Sequence, residues 1–294
     1  MYLLLPLIAA LAFALGSIVF KRAYQEGAGV VHAVVVNNVV LGIAFLPLLA
    51  IDQKSVPWDL WYLPVLTSLT FVTGHLLNVL SLRVGDVSVA TPLLGAKVTF
   101  VALLAWAVFG TRLDAIQWIA AGLTTLGVLV MGRTDLKRGR RMGITTILAL
   151  GCALAFAFTD VMIQSWAARF GVWNFLSLVF AALAVLSLAM LPVFGRESLR
   201  APRNAWFWIF AAAGLSGMQA ILITGTIGIW KDAAGVNVVY ATRGILSIVL
   251  VWFLGARLKN TERQSAGPAA MAWRFAGATL ILAAVALAVK GSRH

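Results

Sequence analysis

The chain predicts an all-α integral membrane protein of ten transmembrane helices, arranged as two inverted-topology five-helix repeats. Composition, block length and internal repetition carry that prediction. Of 294 residues, 62% are hydrophobic and 11% charged. A soluble domain has roughly 45–50% and about 25%, so a water-soluble fold is excluded. The apolar residues fall into ten blocks, each near the ~20 residues with which a helix rising about 1.5 Å per residue crosses about 30 Å of hydrocarbon. Short segments also recur in order. Leu11-Ala-Phe-Ala returns as Leu154-Ala-Phe-Ala, Gly110-Thr-Arg-Leu as Gly255-Ala-Arg-Leu, and Trp118-x-x-Ala-Gly as Trp273-x-x-Ala-Gly, at offsets of 143, 145 and 155 residues. One such match between apolar helices means nothing; three in order indicate duplication.

The first block, 2–20, stops at Lys21 and Arg22. No basic residue precedes its apolar run, so it reads as a span and not a signal peptide. Span 2, 29–51, precedes the loop with Lys54, and span 3, 58–82, opens on Trp58 and Trp61 and stops at Arg83. Span 4, 86–109, holds Pro92 and Lys97, and span 5 covers 115–132. The least hydrophobic interruption follows at 133–143, with Arg133, Lys137, Arg138, Arg140 and Arg141. Beyond it come span 6 at 144–168, with Asp160, span 7 at 174–194 and span 8 at 205–229. Span 9 at 233–254 holds Arg243, and span 10 covers 272–290. The chain thus divides into repeat 1–132, a basic cytoplasmic linker 133–143, and repeat 144–294. Five spans per repeat put the second copy in the opposite orientation, the plan of many secondary transporters.

The net charge of +13 would suggest nucleic acid in a soluble protein, but here it reports topology, and no nucleic-acid partner is expected. Fifteen Lys and Arg residues follow the odd-numbered spans, against six after the even-numbered ones and at the termini. By the positive-inside rule the odd loops are cytoplasmic and both termini lie outside a cell inner membrane. Trp58, Trp61, Trp166, Trp173, Trp206, Trp208 and Trp230 sit near span ends, where indoles prefer the interface.

Two basic residues escape that count, Lys97 and Arg243. Lys97 lies 11 residues after Asp86 and 13 before Gly110, and Arg243 lies 11 after Asp232 and 14 before Arg257. Both therefore sit near the midplane of equivalent helices, too deep to snorkel. A cation there costs about 2.5–3.5 kcal/mol on insertion scales and needs a partner or a wet cavity. The functional reading is a convergent clamp on an anionic group of a small-molecule substrate, with Arg able to bind bidentately. The alternative is an internal ion pair with Asp160, nine residues before Arg169 and the one acidic residue well inside a span. Asp160 is either a counter-ion that neutralises the empty site or a proton acceptor that couples transport to a gradient. Tyr240, three residues from Arg243, shares its face. With Asn78, His75 and Gln219 it completes the expected substrate-binding set. Asn37, Asn38, Gln164 and Asn237 are further polar groups within spans, and Gly122, Gly132, Gly214 and Gly217 read as close-packing positions. Pro92 should kink span 4 just before Gly95 and Lys97.

His32, His75 and His294 have no metal-ligand spacing, and Cys152 is the sole cysteine; no metal, cofactor or disulfide is expected. No His-Glu-x-x-His, Gly-x-Ser-x-Gly or Walker loop occurs, so no enzyme is predicted.

The duplicated unit resembles the ten-helix EamA-like transporters of the drug/metabolite transporter superfamily. So does the run Asn78-Val-Leu-Ser-Leu-Arg-Val-Gly-Asp-Val-Ser-Val-Ala-Thr-Pro92, followed by Gly110-Thr-Arg-Leu, Gln117-Trp118 and Gly122. Many relatives carry an acidic residue after the glycine ending spans 4 and 9, where this chain has Thr111 and Ala256. The resemblance implies alternating access around a central cavity, in metabolite export or exchange. Plastid phosphate translocators are similar in holding phosphate with a Lys in helix 4 and a Lys-Arg pair in helix 9. Lys97 and Arg243 resemble the first and last of these, and Thr242 replaces the other. The expectation is a secondary active transporter of a small anionic or zwitterionic metabolite, with Lys97 and Arg243 as its anion-binding groups. A monomer suffices and a dimer is compatible. A flippase for a lipid-linked anionic headgroup and a non-transporting structural or receptor-like protein are the alternatives.

Overall fold

The computed structural model describes residues 2–85, 90, 93–110, 112–132, 140–191, 202–254 and 268–291. Pro92, Thr111, Ala256, His294 and most of the basic linker lie outside these residues. Among the described residues every regular element is helical, as hydrocarbon demands of any backbone that cannot pair with water. The elements are α1 (Leu4–Gln25), α2 (Val30–Phe45), α3 (Tyr62–Val84), α4 (Lys97–Ala107), α5 (Ala115–Gly132), α6 (Arg140–Phe170), α7 (Val172–Ala189), α8 (Arg203–Trp230), α9 (Ala233–Tyr240), α10 (Arg243–Leu254) and α11 (Pro268–Gly291). Short 3-10 turns at Leu46–Ala50, Trp58–Leu60 and Leu94–Ala96 extend α2 and lead into α3 and α4. Pro47 enters the first of these turns, where a missing N–H ends the regular α ladder.

Seven described segments are long and apolar enough to cross a bilayer, and three shorter apolar helices, Leu94–Ala107, Ala115–Val130 and Phe275–Leu287, accompany them. Together they are the ten expected spans, with two differences. Span 6 is longer than its apolar block, because α6 begins in the basic linker at Arg140. Spans 4 and 9 are not continuous α-helices. A 3-10 turn precedes α4, and residues Ala241 and Thr242 interrupt span 9 between α9 and α10.

Loop groups fix the helix ends. Lys231 takes a left-handed conformation (φ 54°) to stop α8. Gly171 turns at φ 90° between α6 and α7, where a Cβ would strike the Asp52 carboxylate. Asp52 uses that closeness to accept from the backbone N–H groups of Trp173 (2.6 Å) and Asn174 (3.2 Å), capping α7 across the fold. Asp232 caps α9 by accepting from the Gly235 N–H (2.8 Å).

The helices pack in a defined set of pairs: α1 with α8 and α10, α3 with α6 and α7, α2 with α7 and α8, α4 with α6, and α5 with α11. Phe45, Phe71, Phe156 and Phe180 form the aromatic middle of the core, with Phe45 stacked on Phe180 at 3.8 Å and Phe71 edge-on to both Phe180 and Phe156. The outer faces carry exposed Ile147, Val185, Phe207, Phe253 and Phe275, a surface suited to lipid.

Between helices in lipid, close packing replaces the hydrophobic driving force, and the glycines that matter are not all those the sequence suggests. Gly122 and Gly214 face open space, and Gly217 makes only an ordinary contact with Ala44. The close approaches are at Gly42, whose Cβ would lie 2.8 Å from Ala184 and 3.0 Å from the Phe180 carbonyl, and at Gly127, 2.7 Å from the Gly277 carbonyl of α11. Spacing alone does not say which face of a helix meets a neighbour. Gly127→Ala should therefore lower the melting temperature of the detergent-purified protein, by overpacking worth about 1–3 kcal/mol against backbone. Gly122→Ala should melt with the wild type, and equal melting of both variants would contradict the α5–α11 contact.

Candidate functional site

The two helix breaks place the two intramembrane cations. Lys97 is the first residue of α4, directly after the 3-10 turn Leu94–Ala96, and Arg243 is the first residue of α10, directly after the Ala241–Thr242 turn. A 3-10 turn lies where the sequence expects span 4 to kink, near Gly95, while the turn in span 9 has no proline to announce it. There the ladder tightens: Thr242 N–H donates to the Val239 carbonyl and Gly244 N–H to the Ala241 carbonyl. The Thr242 hydroxyl bonds back to the Val239 carbonyl (2.8 Å), a competing local bond of the kind that bends helices. Each cation therefore sits where a tightened turn passes into an α-helix.

The cations differ in their partners. Lys97 Nζ lies 2.5 Å from Asp160 Oδ2, and Asn237 Nδ2 donates to the same oxygen (2.6 Å). Arg243 pairs with no carboxylate among the described residues. One guanidinium nitrogen donates to the Leu94 carbonyl (2.7 Å), which ties the break of span 9 to that of span 4. Its plane lies over Phe13 (4.8 Å) and Tyr240 (4.3 Å), and its Nε has no hydrogen-bond partner. Lys97, Asp160 and Arg243 are 5%, 3% and 2% exposed. Two cations against one carboxylate leave an excess of one positive charge in a buried site. Ring faces worth about 0.5–2 kcal/mol each and a charged hydrogen bond worth about 1.5–3 kcal/mol offset the several kcal/mol of desolvation. They leave the charge itself unneutralised.

Lys97, Arg243, Tyr240, Asn78, His75, Gln219 and Asp160 all line one cavity of about 50 Å³. At roughly 10–15 Å³ per water it holds a few waters, well short of the roughly 300–1,000 Å³ of a drug-sized pocket; in this conformation it fits only a small ligand. The cavity runs from the cations to Phe20 and Val79, each five residues from the end of its helix. At that end Lys21 Nζ donates to the carbonyls of Leu82 (3.2 Å) and Gly85 (2.6 Å). The opposite end is stapled by Tyr2, which stacks on Trp230 (5.3 Å) and donates to Asp232 (2.8 Å).

Other polar residues lie elsewhere. Gln164 accepts from the Ala233 N–H (2.7 Å) at the start of α9, and His32 is buried edge-on to Trp206. No three His, Cys, Asp or Glu side chains come together among the described residues. The sequence reading did not single out Asn37, Asn237, Phe13 or Phe156 for the site. An aromatic ring facing a cavity and one facing lipid have the same sequence signature, and Asn237 becomes a site residue only because α9 packs on α6.

Residues 1–133 match the family of EamA-like transporters. No curated protein matches the chain. A protein of known crystal structure shares its fold with a TM-score of 0.63 at 17% identity, over 97% of this chain and 98% of that one. The apolar helices are those of a multi-pass membrane protein, similar over its first 133 residues to a family of transporters.

The Lys97–Asp160 pair makes a stability prediction. Removing one partner strands a buried charge and costs about 3–5 kcal/mol, so Lys97→Met and Asp160→Asn should each lower the melting temperature strongly. The double variant should melt well above the sum of the two losses. Additive losses in that cycle would mean that the two side chains do not interact.

Proposed function

We propose that this EamA-like protein is a secondary active transporter, working in export or exchange, of a small anionic or zwitterionic metabolite. Lys97 and Arg243 are its anion-binding groups. The observation that carries the proposal is the burial of two basic side chains in one cavity against a single carboxylate among the described residues. An anion there would satisfy the free Arg243 Nε and compete with Asp160 for Lys97.

We further read the chain as two inverted five-helix repeats, 1–132 and 144–294, joined by the cytoplasmic linker 133–143, with alternating access between them. The packing pairs support this reading. Exchanging the halves turns α1–α8 into α6–α3, α1–α10 into α6–α4 and α2–α8 into α7–α3, and returns α2–α7 and α5–α11 to themselves. The positive-inside count supports both termini outside an inner membrane. In that orientation the cavity reaches from the cations toward the cytoplasmic ends of α1 and α3, and the Tyr2–Trp230 staple closes the external side. Both repeats lie in one chain, so a monomer is sufficient.

The test is a thermal-shift screen of the purified protein against anionic, zwitterionic and cationic metabolites, beside Arg243→Gln and Lys97→Gln. One anionic or zwitterionic class should stabilise the wild type by mass action. Arg243→Gln should weaken that binding at least about tenfold, the worth of a charged hydrogen bond. Stabilisation by cationic or neutral compounds alone would make the cations structural. For Asp160, the counter-ion role predicts that transport by Asp160→Asn keeps its response to a pH gradient; loss of that response alone would assign it the proton.

A further inference from the structure

The cavity has a second polar end, and its hydrogen-bond sense is determined by its neighbours. The Ser187 hydroxyl donates to the Leu183 carbonyl (2.7 Å), so toward Asn38 it can only accept, and Asn38 Nδ2 faces it at 2.8 Å. Asn38 Oδ1 is thereby turned toward His75 Nδ1 (2.5 Å) and Asn37 Nδ2 (3.1 Å). Both of these must donate to it, which assigns the His75 proton to Nδ1 and fixes which way the Asn37 amide points. The Asn37 carbonyl oxygen is then buried and without a partner. Asn78, one turn beyond His75 on α3, presents a second buried Oδ1 without a partner. Asn37 and Asn78 are 4% and 8% exposed, and both line the cavity that holds Lys97 and Arg243.

Helix packing accounts for Asn38, His75 and Ser187, which bond to one another across α2, α3 and α7. It does not account for two orphaned acceptors in a cavity wall, since buried polar groups without partners are rare and costly. The two ends of the cavity ask for opposite things: the cation end lacks an acceptor and the amide end lacks donors.

We infer that Asn37 and Asn78 form a donor-reading subsite, positioned by the Asn38–His75–Ser187 network, that selects small monoanions also carrying N–H or O–H groups over bare anions. The inference rests on the anion-binding reading above and specifies its substrate class. The anionic group docks at Arg243, and ammonium or hydroxyl hydrogens meet the two amide oxygens. Phe71 and Phe156, which also line the cavity, face the short carbon skeleton. A site with buried polar groups built for a substrate donor rejects the analogue that lacks it far more strongly than an apolar pocket rejects a methylene.

The experiment measures binding of propionate, lactate and alanine to the full-length purified protein; the three share a three-carbon acid skeleton and differ in the donor. Lactate, alanine or both should bind at least about tenfold tighter than propionate, and which of them leads tells hydroxyl from ammonium. Asn78→Leu should collapse that gap by weakening lactate or alanine far more than propionate, with Asn78→Ala as the smaller variant should the leucine not fold. Equal affinities for all three in the wild type would overturn the subsite, as would an Asn78 variant that weakens all three alike. Arg243→Gln separates the two readings. Equal binding that this variant abolishes removes the subsite and leaves the anion site standing. Binding indifferent to Arg243→Gln, or no binding by any of the three, removes the anion site and the subsite with it.

Discussion

A guanidinium buried in the middle of a helix bundle and paired with no carboxylate among the described residues is the constraint around which the centre of this protein is arranged. Hydrocarbon offers Arg243 nothing, so the protein surrounds it with what it has: the faces of Phe13 and Tyr240 and the carbonyl of Leu94. Each comes from a different part of the chain. The Leu94 carbonyl belongs to the 3-10 turn before Lys97, so satisfying one cation also shapes the helix break that carries the other. These contacts hold the guanidinium in place without cancelling its charge, and a site that is stable when empty yet still positive is suited to an anion that comes and goes.

The asymmetry between the cations follows from the same economy of groups. Asp160 answers Lys97, and Asn237 holds Asp160 from the short helix α9. A second acid beside Asp160 would have left the two cations formally neutralised. With one acid, the empty site retains a charge that a ligand can neutralise.

Around that centre the fold is built from close contacts of small residues and aromatic stacking, as expected where lipid and side chains are equally apolar. The Gly127–Gly277 approach and the Gly42–Ala184 approach bring α5 to α11 and α2 to α7, and the Phe45–Phe180–Phe71 stack fills the middle. Some polar residues outside the cavity serve helix ends, as with Asp52 on α7 and Gln164 on α9.

The amino-acid sequence by itself determined the ten apolar spans, because the length a helix needs to cross hydrocarbon is a local property. It also singled out Lys97, Arg243 and Asp160, because a charge far from any polar end of its block is visible without knowing its neighbours. Only the tertiary structure decided the rest. The break at Ala241–Thr242 depends on a threonine back-bond and on a guanidinium reaching another helix, and neither has a fixed sequence signature. Which cation Asp160 would choose, which glycines meet a backbone, and which asparagine oxygens remain unpaired in the cavity wall are questions of facing. Facing is set by how helices distant in sequence are rotated against each other, and hydropathy, being nearly uniform around a membrane helix, carries almost no record of it.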